Sequence, residues 1–140
     1  MEKIVIYTDG GARGNPGPAA IGAVIFDEQG TILKEVSEYI GAQTNNVAEY
    51  QALIRVLQEA KKMFGKKLKD MLIEVRIDSE LVVRQLSGLY RVKDPTLKEK
   101  FGEVAQIREA APNMIFTHVR REQNAHADRL VNQCLDAAGH

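Results

Sequence analysis

The stretch YTDGGARGNPGPAAIGAVIF, residues 7–26, decides how the fold is interpreted. It holds five glycines and two prolines, with apolar and β-branched residues on both sides of them. This glycine and proline content disfavours a helix, and the flanking pattern is typical of strands. The stretch therefore predicts two strands joined by a loop of exposed backbone, with Asp9 where the first strand enters the loop. The loop is either a plain turn or a surface that presents backbone to a ligand that Asp9 also contacts.

The segments around this loop predict three consecutive strands with short connections. Residues 3–9 and 19–27 are rich in apolar and β-branched side chains, and residues 31–40 alternate between apolar and polar positions. Glycine at position 30 favours a turn between the second and third of these segments. Strands linked this closely pair as an antiparallel meander.

The remainder of the chain alternates helices with strands. Apolar faces with a 3.6-residue period predict a long helix over residues 44–64 and a last helix that follows residue 124. Residues 70–78 and 113–119 predict strands, and two further helices lie between them. Such an order predicts an α/β fold with a five-stranded mixed sheet, in which strands one, four and five are parallel. The predicted helix N-caps are Asn45 or Asn46, Ser79, Asp94 and Asn124.

Composition narrows the class of protein without naming a ligand. The 140 residues predict one domain, residues 1–140, and 19 basic and 19 acidic side chains give no net charge. Cys134 is the sole cysteine, so no intrachain disulfide forms and a reducing compartment fits. No apolar stretch approaches the ~20 residues of a membrane helix, and the amino terminus does not resemble a signal peptide. We therefore expect a cytoplasmic monomer with no obligate protein partner.

Four acidic side chains fall where an α/β fold brings residues together. Asp9 and Asp78 each end a predicted strand, and Glu49 and Asp128 each lie in the first turn of a predicted helix. Alone, each has a simple explanation as a turn residue or as a favourable charge at a helix start. Together in one cleft they would repel each other unless cations bind between them. Carboxylate oxygens suit Mg²⁺ or Mn²⁺, and two such ions can promote phosphodiester cleavage.

Two familiar phosphate-binding motifs are excluded in the glycine-rich loop. The loop lacks the GK[ST] ending of a P-loop, and a strand follows it where a dinucleotide-binding fingerprint requires a helix. What remains is a hairpin with bare backbone, which a sugar-phosphate chain can approach closely.

Four segments in sequence order resemble the signature blocks of type 1 ribonuclease H. They are TDGGARGNPGPAAIGAVI, TNNVAEYQALIRVL, IDSELVVRQL and NAHADRLVNQ, and they cover nearly the whole chain in the spacing of that family. The resemblance implies a ribonuclease H-like fold with strand order 3-2-1-4-5 and helices on both faces of the sheet. It also implies hydrolysis of the RNA strand of RNA/DNA hybrids with two divalent metals, leaving 5′-phosphate and 3′-hydroxyl ends.

The resemblance assigns roles by position. Asp9, Glu49, Asp78 and Asp128 match the four catalytic, metal-binding carboxylates. The matching substrate-binding positions are Gly10, Gly11, Asn15, Thr44, Asn45, Asn46 and Ser79. The open backbone at residues 9–11 and the Glu49 side chain are the expected readers of the 2′-hydroxyl, which distinguishes RNA from DNA.

Some features of the family are missing. Many members carry a basic, tryptophan-bearing protrusion after the third acid, but here SGLYRVKDPTLKEK is short and has no tryptophan. Hybrid affinity is therefore weak or depends on another basic cluster, which is either a solvated helix end or a phosphate contact. Neither His118 nor His126 matches the histidine that many members carry before the last aspartate. The alternative basic cluster consists of Lys61, Lys62, Lys66, Lys67 and Lys69.

Two other functions remain open at this point. A non-catalytic nucleic-acid-binding protein could share the fold, although all four acids are present. A transposase or integrase core also shares it, but such cores usually end on a glutamate in the last helix and lack the TDGGxxGNPGP hairpin.

Overall fold

A computed structural model describes residues 2–140 of the chain. It contains five strands, four α-helices and two short 3₁₀ segments, Gly65–Asp70 and Arg121–Asn124. The strands are β1 (Lys3–Ala12), β2 (Gly17–Asp27), β3 (Ile32–Gln43), β4 (Leu72–Ile77) and β5 (Met114–His118). The helices are α1 (Asn45–Phe64), α2 (Glu80–Leu86), α3 (Pro95–Ala110) and α4 (Ala125–Ala137).

The five strands form one mixed sheet in the order β3-β2-β1-β4-β5. β1 pairs antiparallel with β2, and β2 pairs antiparallel with β3, so the meander is confirmed. β4 lies parallel to β1 on its other side, and β5 lies parallel to β4. The sheet therefore confirms the α/β class, the strand order and the direction of every predicted strand.

Helices cover both faces of the sheet, as the resemblance implied. The main apolar core lies between one face and helices α1, α2 and α3, and it includes Tyr50, Leu53 and Leu57 of α1. On the other face, α4 buries Val131 and Leu135 against Ala20 of β2 in a smaller, separate cluster. No helix within residues 2–140 has the length and apolar character needed to cross a membrane.

The glycine-rich stretch is more regular than its composition suggests. β1 continues three residues past Asp9 and β2 starts at Gly17, so residues 13–16 alone connect the two strands. Two of its glycines are needed because helix backbone packs directly against the sheet, at Gly10 from α1 and at Gly22 from α4. A Cβ atom at Gly22, which pairs with Asp9, would lie 2.5 Å from the carbonyl oxygen of Ala127 in α4.

Two predicted helix caps need correction. Thr44, not Asn45 or Asn46, caps α1, because its Oγ1 accepts from the backbone N–H of Val47 at 3.2 Å. The cap position before α4 is Asn124 as predicted, but its side chain makes no capping bond. Ser79 and Asp94 cap α2 and α3 as predicted.

Candidate active site

Three acidic side chains meet at the carboxyl edge of the parallel strands. Oxygen atoms of Asp9, Glu49 and Asp78 all lie within 4.8 Å of one another. Pairing between β1 and β4 ends with Thr8 opposite Ile77, so the next residue of each chain segment is an acid at the same level of the sheet. The two strands therefore place Asp9 and Asp78 side by side.

Glu49 reaches this edge because α1 begins directly against β1. A Cβ atom at Gly10 would lie 2.2 Å from the backbone carbonyl of Ala48, so no other residue type fits there without displacing the helix. The Gly10 N–H donates to Glu49 Oε1 at 3.4 Å. Glycine at this position thus brings the first turn of α1 and its carboxylate up to Asp9.

Asp128 lines the same cleft from the opposite face of the sheet, outside the group of three acids whose oxygens lie within 4.8 Å of one another. It lies in the first turn of α4, which the small residue Gly22 allows to approach β2 closely. All four predicted acids line one cleft of about 420 Å³. The remaining lining residues are Gly10, Gly11, Ala12, Arg13, Asn45, Arg121, Val131, Asn132 and Leu135.

Burial and mutual repulsion favour the protonated forms of two of these acids. Burial, followed by the charge of Asp78, raises the pKa of Asp9 to about 7, and Asp128 adds to the rise. Burial and the charge of Asp9 also raise the pKa of Glu49 well above its usual value. Such shifts are typical of carboxylates gathered at a functional site.

The donor set fits a hard divalent cation. The second carboxylate oxygen of Glu49, Oε2, is buried and has no hydrogen-bond partner. A buried carboxylate oxygen without a donor is costly, whereas a cation would satisfy it and remove the repulsion among the acids. Oxygen-only ligands are those that Mg²⁺ and Mn²⁺ prefer.

The predicted substrate-binding residues divide into two groups. Gly10, Gly11 and Asn45 line the acidic cleft. The other four do not line the cleft: Thr44 and Ser79 use their hydroxyls as helix caps, and Asn15 and Asn46 are exposed. Contact of any of them with a substrate stays a prediction.

Asn15 and Asn45 hold the hairpin against the start of α1. The Asn15 Oδ1 accepts from the Asn45 backbone N–H at 3.0 Å, and the Asn45 Oδ1 accepts from the Ala12 N–H at 2.9 Å. Because both side-chain carbonyls are used inside the protein, each amide keeps its NH₂ group as a donor. An acceptor on a ligand is therefore the chemistry that these two side chains can still recognise.

Sequence reasoning missed the basic residues of the cleft. Arg13 donates to Asp136 Oδ1 at 2.8 Å and to Asn132 Oδ1 at 3.3 Å, so the hairpin loop is tied to α4. Arg121, from the segment before α4, also lines the cleft. The sequence offered one signal: Arg13 is the lone charged side chain between Asp9 and Asp27, within the glycine-rich loop.

Neither histidine singled out in the sequence lines the cleft. His126 Nε2 lies 2.6 Å from Glu35 Oε2, and its ring contacts Phe26 edge-on, which is the behaviour of a helix-surface residue. His118 is exposed at the end of β5. The lysine cluster is also exposed, and it lies in the last turn of α1 and in the 3₁₀ segment Gly65–Asp70 that follows, at the opposite end of α1 from Glu49.

Comparison with known proteins assigns the class that this fold and site define. The chain belongs to the family described as Reverse transcriptase-like, whose sequence profile matches residues 7–134. It is 62% identical to LC11-RNase H1, isolated from compost, with a TM-score of 0.94 and full coverage of both chains. LC11-RNase H1 in complex with an RNA/DNA hybrid matches at 61% identity and a TM-score of 0.93, covering 98% of this chain and 99% of the other. Within the family the chain groups with the type 1 ribonucleases H, as its signature segments predicted.

Two of the curated relatives are considerably longer than this chain. The chain is 42% identical over 137 residues to a bifunctional protein of Mycobacterium tuberculosis, covering 97% of this chain and 36% of that protein. It is 43% identical over 136 residues to Ribonuclease HI of Halobacterium salinarum, covering 97% of this chain and 66% of the relative. The chain thus spans between a third and two thirds of the length of these relatives.

Proposed function

We propose that the chain is a metal-dependent endoribonuclease that hydrolyses the RNA strand of RNA/DNA hybrids, leaving 5′-phosphate and 3′-hydroxyl ends. The convergence of Asp9, Glu49 and Asp78 within 4.8 Å carries this proposal. The hybrid complex of LC11-RNase H1, 61% identical, supports the choice of substrate. Membership of the family and the acidic site together support this choice of substrate and activity.

Two ions, Mg²⁺ or Mn²⁺, are the proposed cofactors. Asp9 would contribute to both ions, Glu49 and Asp78 to one of them, and Asp128 to the other. When bound, the ions supply activation of a water molecule and stabilisation of the leaving oxygen. The oxygen-only donors and the unpartnered Glu49 Oε2 are the observations that fit this assignment.

The chain's own residues account for substrate binding. The backbone at Gly10 and Gly11 borders the acids and has no side chain to obstruct a sugar-phosphate strand. The NH₂ groups of Asn15 and Asn45 are available to donate to acceptors of the hybrid. Arg13 and Arg121, the two cations that line the cleft, are the candidates for phosphate contact.

The non-catalytic alternative is disfavoured by the electrostatics of the cleft. A protein that only bound nucleic acid would gain nothing from four buried or half-buried acids, which repel phosphates. The raised pKa of Asp9 shows that gathering these acids without a cation disfavours the ionised carboxylate, through burial and through repulsion by its neighbours. We also propose that residues 1–140 act as one catalytic domain, as a monomer without a protein partner and in the cytoplasm.

The test compares three duplexes of one sequence: RNA/DNA hybrid, double-stranded RNA and double-stranded DNA. The proposal predicts that the hybrid is cut in Mg²⁺ or Mn²⁺ and is left intact in chelator. The matched control is Glu49→Gln, which keeps the shape of the side chain and removes its charge. If the hybrid stays intact in both metals while binding tightly, the non-catalytic alternative holds.

A further inference from the structure

Asn124 is a buried polar residue that the proposed mechanism does not use. It is 1% exposed, although its sequence neighbours Gln123 and Ala125 are exposed. Its side chain does not cap α4, the helix that follows it. Instead, its Nδ2 donates to the backbone carbonyl of Thr8 at 2.9 Å, across 116 positions of the sequence.

This bond lies at the point where β1 stops pairing with β4 but continues to pair with β2. Thr8 and Ile77 are the last paired residues of β1 and β4, while β1 remains paired with β2 as far as Ala12. On the β5 side, the Ile77 carbonyl accepts from the Val119 N–H at 3.0 Å. With no further residue of β4 beside it, the Thr8 carbonyl takes its donor from the Asn124 amide.

The two bonded residues lie close in sequence to two of the four acids, Asp9 and Asp128. Thr8 immediately precedes Asp9, and Asn124 immediately precedes α4, whose first turn carries Asp128. No other side-chain hydrogen bond within residues 2–140 links β1 directly to the segment Arg121–Asn124. Asn124 therefore holds the Asp9 end of β1 at a fixed distance from the start of α4.

We propose that Asn124 is a positioning residue, whose side-chain amide sets the separation between the carboxylates of Asp9 and Asp128 and thereby the affinity of the site for its divalent ions. This inference rests on the proposed function for its link to catalysis, but the metal affinity can be measured without substrate. Removing a residue that orients metal ligands without itself binding the metal typically lowers metal affinity by about 10–100-fold. A merely structural tie would lower stability and leave metal affinity unchanged.

The experiment measures the binding of Mn²⁺ to the protein by isothermal titration calorimetry, without nucleic acid, and takes from it the half-saturating Mn²⁺ concentration. The variants are Asn124→Ala and the milder Asn124→Ser. The matched control is Asn113→Ala, because the Asn113 Nδ2 also donates to a backbone carbonyl, that of Lys69, at 3.4 Å and away from the acids. We expect a roughly 10–100-fold higher half-saturating Mn²⁺ for the Asn124 variants and no change for the control.

A second readout separates positioning from loss of fold. At saturating hybrid, the kcat of the Asn124 variants should fall at low Mn²⁺ and recover as Mn²⁺ is raised. Wild-type Mn²⁺ affinity in a folded Asn124 variant overturns the proposal, and so does failure of both variants to fold, which would make Asn124 a structural residue. If the affinity falls but wild-type protein cuts no hybrid, the positioning role stands and the proposed function fails.

Discussion

The backbone N–H of Gly10 donates to the Oε1 of Glu49 at 3.4 Å, across the contact between β1 and the first turn of α1. The contact is this close because position 10 has no side chain. Gly10 thus allows α1 to pack against β1 and brings the Glu49 carboxylate to the cleft. The other oxygen of Glu49, Oε2, is buried and has no hydrogen-bond partner.

Gly10→Ala should therefore disrupt both the fold and the site. The added Cβ would lie 2.2 Å from backbone atoms of Ala48, so α1 must move away from β1. We expect a loss of about 1–3 kcal/mol in the free energy of unfolding. Cleavage should fall by about 100-fold, because ligands displaced by ~1 Å no longer match the reacting geometry.

Gly102→Ala in α3 is the control for that experiment. A Cβ at Gly102 has no neighbouring atom within 4 Å, so the substitution should stabilise the helix by about 0.5–1 kcal/mol. Urea unfolding and hybrid cleavage measure both variants. A Gly10→Ala variant with wild-type stability and activity would mean that the contact between β1 and α1 does not position Glu49.

Asp9 should make metal-free stability depend on pH. Burial and neighbouring acids raise its pKa from 3.8 to about 7 in the folded protein. Between about pH 4 and pH 7, the unfolded chain has released this proton and the folded chain still holds it, so the contribution of Asp9 to stability falls as the pH rises. The Asp9→Asn variant has no titrating group at this position, so its stability should not fall in this way. In chelator we therefore expect it to melt at or above the wild-type temperature, with a difference that increases from pH 4 to pH 7.

Metal should reverse the order of the two proteins. Saturation at 100-fold above Kd adds ~2.7 kcal/mol to wild type, whereas Asp9→Asn should gain little because it lacks a shared ligand. Thermal melts at pH 4.5 and 7.5, with chelator and with Mn²⁺, measure both effects. If Asp9→Asn melts well below wild type in chelator, Asp9 is a structural turn residue.

Arg13→Ala should weaken hybrid binding through the loss of a phosphate contact. Its ion pair with Asp136 is exposed, so the free energy of unfolding should change by less than about 1 kcal/mol. The slope of log affinity against log salt should become shallower by about one unit. The control is Asp136→Asn, which frees Arg13 and should leave the slope at least as steep. Equal slopes for Arg13→Ala and wild type would restrict Arg13 to tying the hairpin to α4.

The lysine cluster at the end of α1 calls for a test that depends on substrate length. From Glu49 to the end of α1 at Phe64 is about 22 Å at 1.5 Å per residue. Lys66→Ala combined with Lys67→Ala should raise KM more than it lowers kcat, and it should flatten the salt dependence, for long hybrids. Hybrids that extend less than about seven base pairs from the cut, at 3.4 Å each, should be unaffected. An unchanged KM and salt slope for long hybrids would mark the cluster as a solvated helix end.

Sequence reasoning was sufficient for the fold and for the meeting of Asp9 with Asp78. Both acids directly follow parallel strands, and the element order specified those strands. Thr44 was not predicted as the cap of α1, because three capping residues stand in a row at positions 44–46 and tertiary contacts decide among them. The side chains of Asn15 and Asn45 are used in bonds to the hairpin and the helix start.

Long-range contacts were beyond sequence reasoning. Arg13 and Asp136 are 123 positions apart, and nothing in their local pattern pairs them. Asn124 was predicted as a helix cap from its position, whereas its side-chain amide donates to the Thr8 carbonyl at the point where β1 is no longer paired with β4. From the sequence, the glycines of the hairpin indicated only a loop. Their second role, which is to let α1 pack against Gly10 and α4 against Gly22, depends on contacts that form only in the folded protein.

The chemistry of the cut RNA ends tests the central claim most directly. A hybrid labelled on both strands is incubated with the wild-type protein in Mn²⁺ and in chelator, and the fragment ends are identified by phosphatase treatment and ligation. We expect cuts in the RNA strand alone, 5′-phosphate and 3′-hydroxyl ends, and no cleavage in chelator or with Asp9→Asn. Ends bearing a 5′-hydroxyl and a 2′,3′-cyclic phosphate would contradict the account, because they show attack by the neighbouring 2′-hydroxyl of the RNA instead of by water.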